Sequence, residues 1–304
     1  MQRELGLNTS LEVAYMGNKG THLINGAVGN QATPSPDPSS DIQARRPIPA
    51  LNSETFDILS NAYSNYNGLG VTLRHRQSHG FSFNLAYTWS HALDIASSSN
   101  LGSNNGGFFR DYNHQFWEYG NADFDARHRV TAYYAYELPF GRGRAYVSNL
   151  SPALNAIIGG WITDGIWSSN SGNWFTPITS VDYSNSGGNS PRPDMICNPN
   201  ISAPHNTTTW FKTSCFVTPA AGTFGNAGRN VILGPRFFST DLSLRKEWRV
   251  KESMRIEFRS EFFNAFNHPT FPQIDDLVQD DPAFGLIQTA NKPRQIQFAL
   301  KFYW

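Results

Sequence analysis

The sequence predicts an all-β chain, an antiparallel up-and-down meander of about eight long strands with its long loops on one side. Three observations lead there. Hydrophobicity alternates with period two over eight separate segments, no segment longer than a turn or two carries a helical period, and the connections alternate long and short.

The segments follow in order. In 7–16, Leu7, Thr9, Leu11, Val13 and Tyr15 oppose Asn8, Ser10, Glu12 and Ala14. In 69–76, Leu69, Val71 and Leu73 oppose Thr72, Arg74 and Arg76; in 81–90, Phe81, Phe83, Leu85, Tyr87 and Trp89 oppose Ser82, Asn84, Ala86, Thr88 and Ser90. Val130, Ala132, Tyr134, Tyr136 and Leu138 mark a strand over 129–138. The stretch 160–170 is less regular, yet Trp161, Ile162, Ile166 and Trp167 suit a strand. In 238–248, Phe238, Leu242, Leu244 and Trp248 face away from Asp241, Ser243, Arg245 and Glu247. In 254–263, Met254, Ile256, Phe258 and Phe262 face away from Arg255, Glu257, Arg259 and Glu261. The chain ends inside a strand, "QIQFALKFYW", with Ile296, Phe298, Leu300, Phe302 and Trp304 on one side.

The connections decide what kind of sheet this is. A gap of about fifty residues containing "NQATPSPDPSSD" follows the first strand, then the short "QSHG", then about thirty-five residues with "SSSNLGSNNGGFFRDYNHQ". A moderate turn with "LPFGRGR", about sixty residues holding both cysteines, the short "RVKES" and a loop of about twenty-five residues with "NHPTFPQIDD" complete the series. In a meander, every long loop then lies on one side and every tight turn on the other. Outer-membrane barrels have that asymmetry, whereas loops this long argue against a compact soluble sandwich. Trp89, Trp248, Phe302 and Trp304 fall near strand ends, where rings meet the membrane–water boundary. Arg245, Arg255, Glu257, Arg259 and Glu261 would then form a ladder of opposite charges lining a wet lumen. The sheet is expected to be part of a large transmembrane β-barrel.

Bulk properties agree. Lys+Arg and Asp+Glu both number 24, so the net charge is zero and nucleic acid is not an expected partner. Mean hydropathy is −0.44 and no run approaches the ~20 apolar residues of a spanning helix. Met1 leads straight into alternation with no signal-peptide pattern, which implies a cytosolic chain or an internal piece of a longer one. Cys197 and Cys215 lack zinc-type spacing and a His pair; a loop disulfide in an oxidising compartment and two free thiols both stay open.

Four long segments, "NYNGLGVTLRHRQSHGFSFNLAYTWSHALD" (65–94), "DFDARHRVTAYYAYELPFGRGR" (123–144), "FGNAGRNVILGPRFFSTDLSLRKEW" (224–248) and "RIEFRSEFFNAFNHPTF" (255–271), resemble the C-terminal barrel of Oar-like TonB-dependent receptors, outer-membrane proteins abundant in acidobacteria. The resemblance runs almost end to end. It implies residence in the Gram-negative outer membrane, contact with outer-membrane lipid, and about the last third of a 22-stranded barrel. "QRELGLNTSLEVAYMGNKGTHL" looks like an internal strand. The plug and TonB box of such receptors are not in this chain, so TonB would act only through a missing N-terminal part. The resemblance also implies that Phe298, Leu300, Phe302 and Trp304 form the signal read by the barrel-assembly machinery, and that the C-terminus is a true end while the N-terminus is a cut.

Candidate chemistry is sparse. Asp123, Asp125, Arg127, His128 and Arg129 are the densest charged cluster, and without a nucleophile or a second His they read as an ion-pair network where a loop enters the wall. His114 and His268 read as hydrogen-bonded loop residues, "FGRGR" and "FGNAGRN" as turns needing positive φ, and "NTT" at 206–208 as incidental. Tyr112, Phe116, Trp117 and Tyr119 are the candidate contacts for a small molecule, carbohydrate or peptide, against packing of the loops on one another. No catalytic, metal or cofactor site, and so no enzymatic activity, is expected. A receptor barrel is the first functional reading; an adhesion or structural surface protein is the second and a secreted β-sandwich the third.

Overall fold

Leu7 and Asn8, with φ of 48° and 60°, turn the chain between β1 (Gln2–Gly6) and β2 (Thr9–Gly29). This hairpin opens a meander that the computed structural model describes over residues 1–51, 53–97, 109–188, 190–251 and 253–304. β3 (Thr55–Ser78) and β4 (Phe81–Asp94) follow, joined through His79 and Gly80, both at positive φ. A two-residue β5 (Gly120–Asn121) pairs with the end of β4 and precedes β6 (His128–Glu137). Helix α1 (Pro152–Ile158), started by Pro152 and a Ser151 side-chain cap, leads into β7 (Trp161–Asn170). Four short strands lie in the next loop: β8 (Trp174–Phe175), β9 (Asp194–Met195), β10 (Phe216–Val217) and β11 (Ile232–Leu233). β12 (Phe237–Arg249), β13 (Arg255–Phe263) and β14 (Gln295–Tyr303) complete the sheet.

The main sheet runs β1-β2-β3-β4-β6-β7-β12-β13-β14, with β5 off the end of β4. Each strand pairs antiparallel with its neighbours in the chain, and no ladder joins β1 to β14 among the described residues. All eight expected strands are present; β1 is additional. β2 and β3 run far past the expected 7–16 and 69–76, pairing as far as Gly29↔Thr55, so the connection between them is 30–54 and not about fifty residues. That extension lies beyond β4, whose pairing with β3 stops at Ser64↔Asp94. Its residues have no simple apolar alternation to betray a strand. Within the run 95–97 to 127, the Ser/Asn/Gly-rich residues 98–108 lie outside the described residues.

Paired residues share a face, so the registers carry the alternation across the whole sheet. One row runs Leu11, Leu73, Leu85, Ala132, Trp167 through β2, β3, β4, β6 and β7. Another runs Trp161, Lys246, Phe258, Leu300 through β7, β12, β13 and β14. This apolar face is bare: Tyr15, Trp89, Ile296, Phe298, Leu300 and Phe302 are all exposed, Phe298 by 67%. On the opposite, charged face the salt-bridged Glu257 side chain is only 13% exposed. A soluble sandwich would cover that apolar face with a second layer. The buried apolar cores lie instead in the loops. One gathers Phe211, Cys215, Phe216, Ile232 and Phe284; a smaller one holds Ala27, Ala62, Ile95 and Phe109.

Candidate functional site

The four long loops dock on one another to form a folded cap at one end of the sheet. Loop 30–54 meets 171–236 where the N–H of Ala32 donates to the Ser186 carbonyl at 3.1 Å and that of Ser35 to Ser184 at 3.0 Å. Gln31 reaches three ways, donating to the Arg110 carbonyl and to Ser186 Oγ at 2.9 Å each and accepting from Tyr112 N at 2.8 Å. Loop 264–294 joins through Ile178 N to the Leu277 carbonyl and Trp210 N to that of Gly285, both at 2.9 Å. Asp275 fixes this last loop. Burial raises its pKa, but the Thr289 hydroxyl, the Gln273 amide and the N–H groups of Thr289 and Gln288 outweigh that and hold the carboxyl well below the usual range.

A buried arginine cluster ties the cap to the wall. Glu118, at the end of the 3-10 turn Tyr112–Glu118, takes Arg110 at 3.1 Å and Arg192 at 2.9 Å, all three side chains almost fully buried. Burial lowers the Arg192 pKa, while the Glu118 carboxylate supports its charge. Arg229 donates to the Glu118 carbonyl at 3.1 Å, pairs with Asp123 at 3.1 Å, and pairs closely with Asp94 at the end of β4. None of Arg110, Arg192 or Arg229 stood out in the sequence; the available signal was a lone basic residue in long loops poor in charge ("FFRDY", "PRPD", "AGRN"). In "FGNAGRN" it is Asn230, not a glycine, that has positive φ (54°); Gly225 is required because a Cβ there would meet the Arg192 carbonyl oxygen at 2.0 Å. In "FGRGR" both glycines do have positive φ.

The sequence-derived candidates separate on this frame. Tyr112 packs against the smaller core and donates its hydroxyl to Asp57 at 2.7 Å, an interaction that raises its pKa together with burial. Phe116, Trp117 and Tyr119 remain exposed. The Trp117 ring stacks on His114 at 4.4 Å and meets Phe224 edge-on at 6.4 Å. Tyr119 opens onto a cleft of about 490 Å³ that Trp174, Asn121, Asn198 and Asn200 also line. Asp125 is buried, accepting from Ala92 N at 2.7 Å and Trp174 Nε1 at 3.0 Å with Arg127 3.7 Å away, while His128 bonds the Tyr87 hydroxyl. The cluster 123–129 is a structural network, and no His/Cys/Asp/Glu group among the described residues is placed to hold a metal. Cys197 and Cys215 form a disulfide beside β9 and β10.

Arg245, Arg255, Glu257, Arg259 and Glu261 share the charged face, but not as directly opposed pairs of unlike charge. Arg245 lies opposite Arg259, Glu247 opposite Glu257 and Arg249 opposite Arg255. Neutralisation runs along the strand and diagonally: Arg259 to Glu257 at 3.2 Å and to Glu261 at 3.5 Å, Arg255 to Glu247 at 3.9 Å, Arg245 to Asp164 on β7 at 2.9 Å. Long arginine side chains span the two-residue repeat, so like charges in register are tolerated. Phe298, Leu300 and Phe302 lie on the apolar face of β14, and Trp304 lies at the short-turn end with its side chain exposed.

A sheet that bares an apolar face, carries salt-bridged charges on the other, and bears a loop cap at one end belongs to the class of β-barrel walls that cross membranes by strands. The chain belongs to the outer membrane beta barrel domain family, whose model matches residues 1–297. Its place is the outer membrane. No curated protein matches the sequence. Among solved structures the chain is similar to P. aeruginosa FpvA bound to heterologous pyoverdines, at 9% identity and a TM-score of 0.42 over 97% of this chain and 25% of that one. It is also similar to the outer membrane transporter YddB from Escherichia coli, at 8% identity and a TM-score of 0.48 over 99% of this chain and 31% of that one. The chain therefore spans between a quarter and a third of the length of either.

Proposed function

We propose that the chain is the C-terminal part of an Oar-like TonB-dependent receptor barrel, supplying wall strands, lumen-lining charges and the extracellular loops that contact a ligand. The observation that carries the reading is the division of one sheet into a bare apolar face and a salt-bridged charged face, with all four long loops folded together at one end. Phe116, Trp117 and Tyr119 supply flat rings, and the adjoining cleft adds amide side chains, a surface suited to a small molecule, carbohydrate or peptide. The proposed role is binding and passage, not catalysis. Energy coupling would enter through a plug and TonB box elsewhere in the parent protein. The strand β14 residues Phe298, Leu300, Phe302 and Trp304 serve the barrel-assembly machinery.

A second reading, adhesion without transport, draws on the β2–β3 ribbon, which is paired well beyond the point where β4 stops and so projects past the rest of the sheet. Expressing the intact reading frame in cells with and without TonB separates the two. Growth on a scarce nutrient that requires TonB and falls in Trp117→Ala and Tyr119→Ala supports the receptor; TonB-independent cell aggregation, lost when the ribbon is shortened, supports adhesion and contradicts the receptor.

A further inference from the structure

The connection between β6 and β7 is unlike the tight turns beside it. Helix α1 reads "PALNAII", with Asn155 its only polar residue. Asn155 turns inward, its side-chain oxygen accepting the backbone N–H of Arg142 at 2.8 Å. Leu154, Ile157 and Ile158 turn outward, Ile157 by 67%. This inverts the pattern of a helix resting on a water-soluble protein.

Seven residues do not hold a helix in water unaided. Three side chains from the sheet hold this one by its backbone. The Trp248 indole donates to the Ala156 carbonyl at 2.7 Å, the Trp161 indole to that of Ile157 at 2.8 Å, and the Lys246 ammonium to that of Gly159. Lys246 lies over both indoles, 5.4 and 5.5 Å from the ring centroids. All three side chains are on the face that carries Phe258 and Leu300, so α1 sits on the lipid side of the wall at its short-turn end. The preceding turn adds exposed Phe140, Tyr146 and Val147, together with exposed Arg142; Arg144 pairs instead with Glu137, which is in register with Ile162 and Arg245 on the charged face.

We propose that residues 138–160, centred on α1, form an interfacial anchor that beds into the leaflet at the short-turn end and binds phospholipid there. Apolar side chains enter the acyl boundary and Arg142 meets headgroup phosphates. The continuity of this surface with the apolar face of the sheet identifies lipid as the occupant. The inference rests on the sheet being a membrane wall, and its test separates the two. Ile157→Cys and Leu300→Cys are each labelled with an environment-sensitive fluorophore, and the full chain is reconstituted in vesicles whose phospholipids carry a nitroxide quencher at shallow or deep positions. Bedding of α1 predicts that the label at 157 shifts to the blue and loses most of its emission to the shallow quencher, while the label at 300 loses it to the deep one. A label at 157 that keeps its aqueous emission while that at 300 is quenched overturns the anchor and leaves the wall intact. Aqueous emission from both overturns the wall and the anchor together.

Discussion

Glu118 is the residue on which the cap turns. Its carboxylate is the partner of two buried guanidiniums and its carbonyl of a third. Glu118→Gln keeps the shape and leaves Arg110 and Arg192 buried without their counter-charge, which costs about 3–5 kcal/mol. The expected result is a cap that proteases open while the strands stay protected. Asp275 gives a pH test. Its folded pKa is depressed, so its contribution is fully present above the unfolded value near ~3.9 and is lost as pH falls towards the folded value. Protection factors in 264–294, taken relative to the intrinsic exchange rate at each pH, are expected to be the same at neutral and mildly acid pH and to fall only below about pH 4; in Asp275→Ala they are low throughout. Neither role was legible in the sequence. An arginine in a polar loop reads as solvated until its partners, more than seventy residues away for Arg192 and Glu118, are brought to it. The disulfide was half legible: Cys197 and Cys215 were the one possible pair, and the sequence left a bond and two free thiols equally open.

At the scale of elements, alternation was the legible quantity. It placed eight strands because lipid on one side and charge on the other force period two on every residue that crosses. It failed over Leu23–Gly29 and Thr55–Ala62, where the face packed on the cap holds Asn25, Ala27, Asp57 and Leu59 while Ile24, Phe56 and Ile58 on the other face stay exposed, so burial does not follow hydrophobicity. It also gave the faces without the register, which is why like charges in register on β12 and β13 were not foreseen. β14 tests the faces. Leu300→Arg puts a charge on the lipid face and is expected to cost about 2–4 kcal/mol if the site lies near mid-membrane. Ala299→Arg, one residue away on the charged face, is expected to be nearly neutral. Urea titration of the two variants in bilayers measures the difference. Deleting Phe302–Trp304 is expected to abolish assembly in the outer membrane while leaving synthesis intact, as pulse-labelled fractionation would record.

For the whole molecule, the arrangement of nine meander strands puts hydrophobic atoms where a soluble protein puts polar ones. β1 and β14 remain edges, and unpaired backbone groups in hydrocarbon cost several kcal/mol each. A complete wall therefore needs further strands between those edges or a closure of one on the other. The loop cap, by contrast, has its own buried cores and depends on lipid only through the wall beneath it. Fold class, strand order and loop side could be argued from 304 letters. The cap's interior and the helix on the lipid face required the coordinates, because both depend on contacts between segments that no local pattern announces.

The whole architecture turns on lipid solvating the apolar face of this sheet. Nitroxide labels placed singly at residues 295 to 302 of β14, in the chain reconstituted in phospholipid vesicles, test it most directly. A period of two is expected: labels at 296, 298, 300 and 302 are reached by dissolved oxygen and not by a water-soluble paramagnet, and labels at 295, 297, 299 and 301 show the reverse. Uniform access to the water-soluble reagent along the strand would contradict it.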